Sequence, residues 1–464
     1  MRASLHFSIM GRKPHVIVVP YPAQGHVAPL MKLAYNLADH GIKVTFVNTE
    51  SIHVKLMSAM SEKFKEGIPI SLVSVPEGLD GEDTRAFLER APSSMPLLLQ
   101  NLIENINESN IDDQVTHVIA DVTAEWALEA AKKMGIELAA FVPCGVATLA
   151  FVLHAHRLTE AGIIDDYGVP MKDEPISLSN SIPAWKKNEL AWSFPGNPES
   201  EKFLFLNSVL TATENVKISD WLLVNSFYEL EPSACDLIPN ILPIGPLFAS
   251  DHLGTFAGNF CAEDSTCLNW LDQQPPRSVI YAGFGSTRAC DQQQFNELAL
   301  GLEMVGQPFL WVVRSNFTNG IVEFPDGFLE RVEKHGKIVE WAPQEKALAH
   351  PSTACFFSHC GWNSILEGIS QGVPFLCWPY FADQFHNRNY MCETWKIGLE
   401  LIPDENGIVT RHEIKTKLEK LLSDKDIEAN SLKLKEMAGK STSEGGSSFN
   451  NLTSFIEQMK QQDV

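Results

Sequence analysis

The sequence predicts an α/β protein made of two Rossmann-like, doubly wound domains that face each other across a cleft. Short apolar runs alternate along the chain with longer amphipathic stretches, which is the pattern of parallel strands joined by crossover helices. The chain has 464 residues, about three times the commonest domain size. Two cores are therefore expected rather than one.

The first half contains the clearest strand–helix–strand unit. Its predicted strands and helices are residues 15–19, 28–40, 43–48, 115–120 and 124–134. Gly41 and Gly135 follow the two helices, as is common where a helix ends in a left-handed residue. The strand before Asp121 places a polar side chain at its carboxyl end, where open parallel sheets bind ligands.

The second half repeats this pattern. Its predicted strands are residues 278–284, 309–314 and 354–358, with helices at 291–305 and from Trp362 onward. A stretch rich in Pro and Gly between the halves is typical of a linker. We therefore predict an N-terminal domain at 1–245, a linker at 246–262, a C-terminal domain at 263–440 and a final helix at 441–464 that packs back on the N-terminal domain.

Composition excludes several classes of function. Thirty-six basic and fifty-eight acidic residues give a net charge of −22, which disfavours nucleic acid and anionic membranes as partners. No apolar stretch reaches the ~20 residues of a membrane-spanning helix, and residues 1–14 lack the features of a secretory signal. Nine cysteines without a CxxC pair argue against a disulfide framework and a zinc site. We expect a cytoplasmic monomer.

The strongest chemical signal lies in residues 341–384. A predicted strand ends at the turn that begins with His359, and a helix begins near Trp362. The first amides of a helix have no partners within it, so those of Asn363 and Ser364 are free to bind a phosphate. The His359 side chain can donate to a second phosphate oxygen.

The residues around this turn fit the rest of a nucleotide sugar. Glu367 can accept from the two hydroxyls of a ribose, although Ser364 and Glu367 have the spacing of a capping box as well. Trp341 offers a flat surface for a base and Gln344 an amide, while the pair at 383–384 offers donors and acceptors to sugar hydroxyls.

These 44 residues resemble the plant secondary product glycosyltransferase box of the family-1 UDP-dependent glycosyltransferases, which have the GT-B fold. The elements of the box are WAPQ at 341–344, HCGWNS at 359–364, Glu367, GVP at 372–374 and DQ at 383–384. The resemblance extends to residues 20–26, 225–231 and 283–286, and so covers nearly the whole chain.

The resemblance implies a role for each matching residue, with UDP-glucose as the donor. The base and ribose would contact Trp341, Ala342, Gln344 and Glu367; the diphosphate Ser286, His359, Asn363 and Ser364; and the sugar Trp362, Asp383 and Gln384. In this family, Gln at position 384 is associated with glucose.

A hydroxyl acceptor must lose its proton as it attacks, and His26 and Asp121 are the predicted catalytic pair. His26 lies near the start of a helix, whose positive end disfavours an imidazolium and keeps the ring neutral. Asp121 would bond the far ring nitrogen and fix the tautomer. The alternative is that Asp121 only caps the helix that begins near Ala124. The family's catalytic His and Asp align with these two residues.

A single displacement on the side opposite UDP would invert the anomeric carbon and give a β-glucoside. Helix amides and His359 can neutralise the diphosphate and no Asp-x-Asp run is present, so no metal or other cofactor is expected.

The acceptor is predicted to be a small lipophilic plant metabolite, most plausibly a flavonoid or another phenol. In this family it lies against the N-terminal domain. Residues 185–198 are predicted to be a long surface loop. The candidate acceptor contacts are Phe87, Met95, Phe151, Trp185 and Trp192, each of which could equally be an ordinary core residue.

Three other functions were weighed. A terpenoid or steroid alcohol, a carboxylate or an aromatic carbon could replace the phenol as acceptor. A UDP-sugar-binding protein without turnover is a second option, opposed by the intact His26 and Asp121. An NAD-dependent oxidoreductase is disfavoured, because the GFGS run at 283–286 lacks the third glycine of a dinucleotide fingerprint.

Overall fold

The computed structural model describes residues 13–60, 68–76, 84–110, 113–248, 258–286, 290–315, 317–318 and 322–461. Within them the chain forms two separate parallel sheets, as the sequence predicts. The first has seven strands in the order β3-β2-β1-β4-β5-β6-β7, and the second has six in the order β10-β9-β8-β11-β12-β13. Both orders are those of doubly wound folds.

The first sheet is built from strands that are apolar on both faces. Every residue of β1 is buried, as expected where helices cover both sides of a parallel sheet. Its strands are β1 His15–Val19, β2 Lys43–Thr49, β3 Ser71–Val75, β4 His117–Asp121, β5 Glu137–Val142, β6 Trp221–Val224 and β7 Ile241–Pro243.

The helices of this half alternate with its strands. They are α1 Gln24–Asp39, α2 Glu50–Ala59, α3 Thr84–Ser109, α4 Glu125–Lys133, α5 Val146–Glu160, α6 Pro198–Leu204, α7 Leu210–Ile218 and α8 Pro232–Cys235, with a π-helical turn at Phe205–Val209.

The second half has the same organisation. Its strands are β8 Val279–Gly283, β9 Phe309–Val312, β10 Gly336–Val339, β11 Thr353–Ser358, β12 Phe375–Cys377 and β13 Gly398–Glu400. Its helices are α9 Thr266–Leu271, α10 Gln292–Val305, α11 Phe328–Val332, α12 Gln344–Ala349, α13 Trp362–Gln371, α14 Gln384–Asn389, α15 Arg411–Ser423 and α16 Lys425–Thr442, with a π-helical turn at Tyr390–Thr394.

Helix α1 begins earlier than the sequence predicts. The predicted start was residue 28, but Ala23, in an extended conformation, is the N-cap and Gln24 is the first helical residue. Pro29 lies inside the helix, where it has no N–H to donate to the carbonyl of Gly25. That carbonyl is therefore free for another partner, which the second half supplies.

The last helix, α17 Ser447–Gln461, returns to the first half. Phe455, Ile456 and Met459 are buried in the same apolar cluster as β1 and α1. Asn451 Nδ2 donates to the carbonyl of Pro243 in β7 at 2.8 Å. The linker predicted at 246–262 lies partly outside the described residues.

We predict that Phe455→Ala lowers the free energy of unfolding by about 3–5 kcal/mol, because it removes a ring that is 1% exposed from this cluster. The matched control is Phe449→Ala, since Phe449 lies on the same helix and is 37% exposed. Urea denaturation of both variants measures the difference. Equal losses would mean that α17 does not stabilise the first half through its apolar face.

Candidate active site

A cavity of about 1200 Å³ lies between the two sheets. Its walls come from the segments that follow β1, β4 and β5 of the first sheet and β8, β11 and β12 of the second. Because these segments all follow carboxyl ends of parallel strands, the cavity occupies the crevice where such sheets bind ligands.

The predicted catalytic residues form a hydrogen-bonded pair at this cavity. His26, in the first turn of α1, lines it, and its Nδ1 lies 2.7 Å from Asp121 Oδ2. Asp121 is the last residue of β4 and is fully buried behind the ring. Since β1 and β4 are neighbours in the sheet, the residues after them are brought together. A carboxylate at Nδ1 requires the proton there, which leaves Nε2 as the basic nitrogen.

Asp121 does not cap the following helix. Its other oxygen, Oδ1, accepts from the backbone N–H of Thr123 at 2.9 Å and from the Thr123 hydroxyl at 2.6 Å. The N-cap of α4 is Ala124, which makes no side-chain capping bond. The capping alternative for Asp121 is therefore wrong, and the Thr123 bonds instead fix the carboxylate in the plane it needs to meet His26.

Two carboxylates dominate the electrostatics of His26. Burial lowers the pKa of His26, but Asp121 and, from the second half, Asp383 raise it, and the net pKa lies above the ordinary 6.5. The expectation that the helix N-terminus keeps the ring neutral is thus outweighed by two nearby negative charges. Burial has the opposite effect on a carboxyl group, and it raises the pKa of Asp383 to about 6.

The turn after β11 forms an uncapped helix N-terminus. Gly361, in an extended conformation, is the N-cap of α13, and no side chain accepts from the first amides of the helix. The ring of His359 packs against two glycines: a Cβ at Gly361 would lie 2.3 Å from His359 Nε2, and one at Gly285 would lie 2.6 Å from it. Only glycine allows this close approach, so both positions shape the turn around His359.

Ser364 and Glu367 do not form a capping box. Ser364 lies inside α13 rather than at its N-cap, and Glu367 points to side chains instead of helix amides. The Nε2 group of Gln344 donates to Ser364 Oγ and to Glu367 Oε2, each at 2.8 Å. These three residues therefore form one polar cluster on the wall of the cavity.

The residues predicted to hold the sugar lie at the start of α14. Gln384 Oε1 accepts from the backbone N–H groups of Tyr380 and Phe381, at 2.9 and 3.3 Å, so its Nε2 is left as a donor for a ligand. Asp383 Oδ2 accepts from Asn387 Nδ2 at 2.9 Å. The two side chains are thus held by their own loop and helix before any ligand binds.

Two of the predicted donor-site side chains bond to the first half. Asn363 Nδ2 donates at 2.7 Å to the Gly25 carbonyl that Pro29 leaves free. Trp362 Nε1 donates at 2.7 Å to the carbonyl of Asn225. The site is therefore completed by both halves of the chain.

All eleven residues predicted to contact the UDP-sugar line this one cavity. They are Ser286, Trp341, Ala342, Gln344, His359, Trp362, Asn363, Ser364, Glu367, Asp383 and Gln384.

The structure separates the predicted acceptor residues. Trp192 lines the cavity, whereas Met95, Phe151 and Trp185 are at most 1% exposed and lie in the core instead. Phe151 stacks on Trp185 with ring centroids 4.2 Å apart, so both are occupied with packing. The side chain of Phe87 lies outside the described residues.

Other apolar residues, which were not predicted from the sequence, line the cavity instead. They are Leu149, Val152, Leu204, Val209 and Ala212. Leu149 and Val152 are three apart on α5 and share a face, whereas Phe151 points to the core. The spacing of residues along α5 could have distinguished Leu149 and Val152 from Phe151, but only if the face of the helix that lines the cavity had been known.

Residues 185–198 form an irregular segment, as predicted, but only residues 186–188 and 195–198 of it are exposed at the surface. The segment has turns but no strand or helix before α6, and its Trp185, Leu190 and Trp192 are buried. It packs on the second half: Ala382 N donates to the carbonyl of Ser193 at 2.7 Å. Trp185 also stacks on the ring of His386, 3.8 Å away, and burial lowers the pKa of His386 to about 3, which keeps that ring uncharged. The burial of Trp185, Leu190 and Trp192 was not predicted, because the segment packs on residues that are distant in the sequence.

No helix among the described residues is long and apolar enough to cross a membrane. In that same part of the chain, no three His, Cys, Asp or Glu side chains are grouped so as to hold a metal ion.

Two Rossmann-like domains with a shared cavity at their strand ends define a glycosyltransferase of the GT-B class. The family model described as UDP-glucoronosyl and UDP-glucosyl transferase matches residues 205–440, and the model of the glycosyltransferase N-terminal domain matches residues 13–64. UDP-glycosyltransferase 83A1 of Arabidopsis thaliana is 40% identical over 98% of both chains. The chain therefore belongs to the plant UDP-glycosyltransferases and is an enzyme of that family.

Two further similarities bear on ligands. The 7-deoxyloganetin glucosyltransferase of Catharanthus roseus is 31% identical, over 98% of this chain and 99% of the relative. The structure of Phytolacca americana UGT2 complexed with UDP-2fluoro-glucose and pterostilbene has a TM-score of 0.79 and 27% identity, covering 96% of this chain and 99% of that one.

We predict that the pKa of His26, followed by NMR titration of its ring, lies above 6.5 in the free protein and falls in Asp121→Asn. The substitution removes the closest negative charge but leaves the burial that lowers the pKa. Asp113→Asn is the control, since Asp113 contacts another histidine, His15. An unchanged His26 titration in Asp121→Asn would contradict the electrostatic account.

Proposed function

We propose that this protein is an inverting, UDP-glucose-dependent O-glucosyltransferase that acts on a small lipophilic plant metabolite, most plausibly a flavonoid or another phenol. The observation that carries the proposal is the 2.7 Å contact between His26 Nδ1 and Asp121 Oδ2 at the wall of the shared cavity. We propose residues 1–245 as the acceptor-binding domain and 263–440 as the donor domain, joined by 246–262.

The residues of the second half support a UDP-sugar as the donor. A base stacks on Trp341 beside Ala342 and Gln344, and Glu367 accepts from the ribose diol. The diphosphate lies at the N-terminus of α13, where the uncapped amides favour an anion. Ser286 and His359 donate to its remaining oxygens.

The sugar lies between this helix and α14. Asp383 and Gln384 offer it acceptors and a donor, with Trp362 beside them. UDP-2fluoro-glucose in the similar Phytolacca structure supports a UDP-sugar as donor. Gln384 is our reason for choosing glucose among the UDP-sugars.

The transfer is a single displacement. His26 Nε2 takes the proton from the acceptor hydroxyl as the oxygen forms its bond to C1 of glucose. The bond from C1 to the UDP oxygen breaks on the opposite side, so the configuration at C1 inverts. The proton on His26 makes an imidazolium, which the buried Asp121 carboxylate stabilises. The negative charge on the departing UDP is met by the α13 amides.

The apolar part of the cavity wall supports a lipophilic acceptor. Leu149, Val152, Trp192, Leu204 and Val209 present an apolar surface there, which suits a lipophilic molecule. Pterostilbene in the similar Phytolacca structure supports a phenol, whereas the relative named for 7-deoxyloganetin supports another alcohol as the second candidate.

We propose that the enzyme is a cytoplasmic monomer.

The test is mass spectrometry of reactions that contain UDP-glucose and a panel of flavonoids, simple phenols, terpenoid alcohols, steroids and aromatic acids. We expect a hexosylated phenol and a loss of about 10²–10⁴-fold in kcat for His26→Ala, the usual contribution of a general base. UDP binding should persist in this variant, since His26 is not a proposed UDP contact. Full activity of His26→Ala would overturn the mechanism, and UDP binding without product from any acceptor would point to a binding protein.

We also predict a rate of transfer that EDTA does not change, because the α13 amides and His359 neutralise the diphosphate without a cation. The measurement is the initial rate after dialysis against EDTA, with and without added Mg²⁺. A rate that falls on dialysis and is restored by Mg²⁺ would contradict this prediction.

A further inference from the structure

Lys32 is a buried charge to which the proposed mechanism gives no role. It lies on α1, further along the helix than His26, and is 4% exposed. Its Nζ donates to Glu367 Oε1 at 3.1 Å and forms an ion pair with Glu345. Both partners belong to the second half of the chain. A buried ammonium is unfavourable unless it is paired. Lys32 therefore favours the arrangement in which the two halves are in contact, because its carboxylate partners lie on the second half.

Glu367 is held on both of its oxygens. Oε1 accepts from Lys32 and Oε2 accepts from Gln344 Nε2 at 2.8 Å. Gln344 is itself fixed, because its Oε1 accepts from the hydroxyl of Tyr281 at 3.2 Å. A carboxylate has about four lone-pair directions, so Glu367 can keep both partners and still accept from two ribose hydroxyls.

The other charges around Glu367 are mainly acidic. Burial raises the pKa of Glu367, Lys32 lowers it and Glu345 raises it, and the net pKa lies above its ordinary value even with Lys32 present. Glu263, which interacts with Glu345 and Glu367, has a pKa raised by burial to about 7, with Lys346 acting in the opposite direction. Lys32 therefore opposes burial and like charge at the carboxylate proposed to bind ribose.

We propose that Lys32 is a positioning residue for the nucleotide: it holds Glu367 ionised and oriented so that Glu367 accepts from both hydroxyls of the UDP ribose. This rests on the proposed donor site. An ionised carboxylate can accept from both hydroxyls of the diol, whereas a protonated one has a donor in place of one acceptor. One helix of the acceptor domain thus carries both the base for the acceptor and the support for the donor.

The experiment compares the Kd of UDP with that of 2′-deoxy-UDP by calorimetry between pH 6 and pH 8. We expect the wild-type protein to prefer UDP by about 10-fold or more, the size of a charged hydrogen bond, at every pH. In Lys32→Met the preference should fall towards 1, and further at low pH than at high pH, because loss of the ammonium raises the pKa of Glu367 further. Lys32→Arg should retain the preference.

Two controls separate a specific role from a general one. Lys346→Met also removes one positive charge near these carboxylates, but it is expected to leave the preference unchanged. In a Glu367→Gln background, Lys32→Met should have no further effect on the preference. If Lys32→Met alone does not fold, the double variant Lys32→Met/Glu345→Gln keeps the local net charge. It removes the donor to Glu367 Oε1 and also a charge that raises the pKa of Glu367, so a loss of the preference there tests the orienting role of Lys32.

The outcomes are distinguishable. A wild-type protein that binds UDP and 2′-deoxy-UDP equally would overturn the proposed ribose site itself. A wild-type preference that survives unchanged in Lys32→Met but is lost in Glu367→Gln would overturn the role of Lys32 alone. Neither measurement depends on sugar transfer, so neither is affected by a wrong choice of acceptor.

Discussion

Three polar contacts join the two halves, and in each of them the donor and the acceptor lie on opposite halves. The Lys32 ammonium meets Glu367, the Trp362 indole meets the carbonyl of Asn225, and the Asn363 amide meets that of Gly25. Separating the halves would expose these groups to water. Packing the halves together in a different relative orientation would instead leave the buried Lys32 and Trp362 donors without acceptors. The polar contacts therefore select one closed arrangement, and the cavity between the halves takes its shape from it.

Most of the fold could be predicted from the sequence because strand and helix signals are local. The strand at 15–19 coincides with the prediction, and α10 begins after Asp291, whose side chain caps it. The start of α1 was predicted too late, at residue 28, which would have placed Pro29 in the first turn of the helix. The helix accommodates Pro29 further in, because Asn363 satisfies the carbonyl that the proline cannot. That compensation comes from more than 300 residues away in the chain, and no local pattern records it.

The site shows the same division. A motif that lies on one strand, turn and helix could be located from sequence, and its eleven residues do line one cavity. The acceptor wall could not be located from the sequence. Phe151 and Leu149 are both apolar, and the sequence does not show that Phe151 packs on Trp185 whereas Leu149 lines the cavity. Lys32 was missed for a related reason: a lysine on an amphipathic helix normally lies in solvent, and its carboxylate partners are distant in sequence. Burial lowers the pKa of His26 and Asp121 is the main group that raises it, but Asp383 adds a smaller contribution from across the interface that the local sequence does not show.

The return of α17 to the first half has a mechanical consequence. The chain passes between the halves twice, once between β7 and β8 and once between α16 and α17. The first passage is a covalent connection, whereas the second joins the halves only through the packing of α17 on β1 and α1. Because only residues 443–446 separate α16 from α17, the halves cannot move far apart at this end unless α17 leaves the first half.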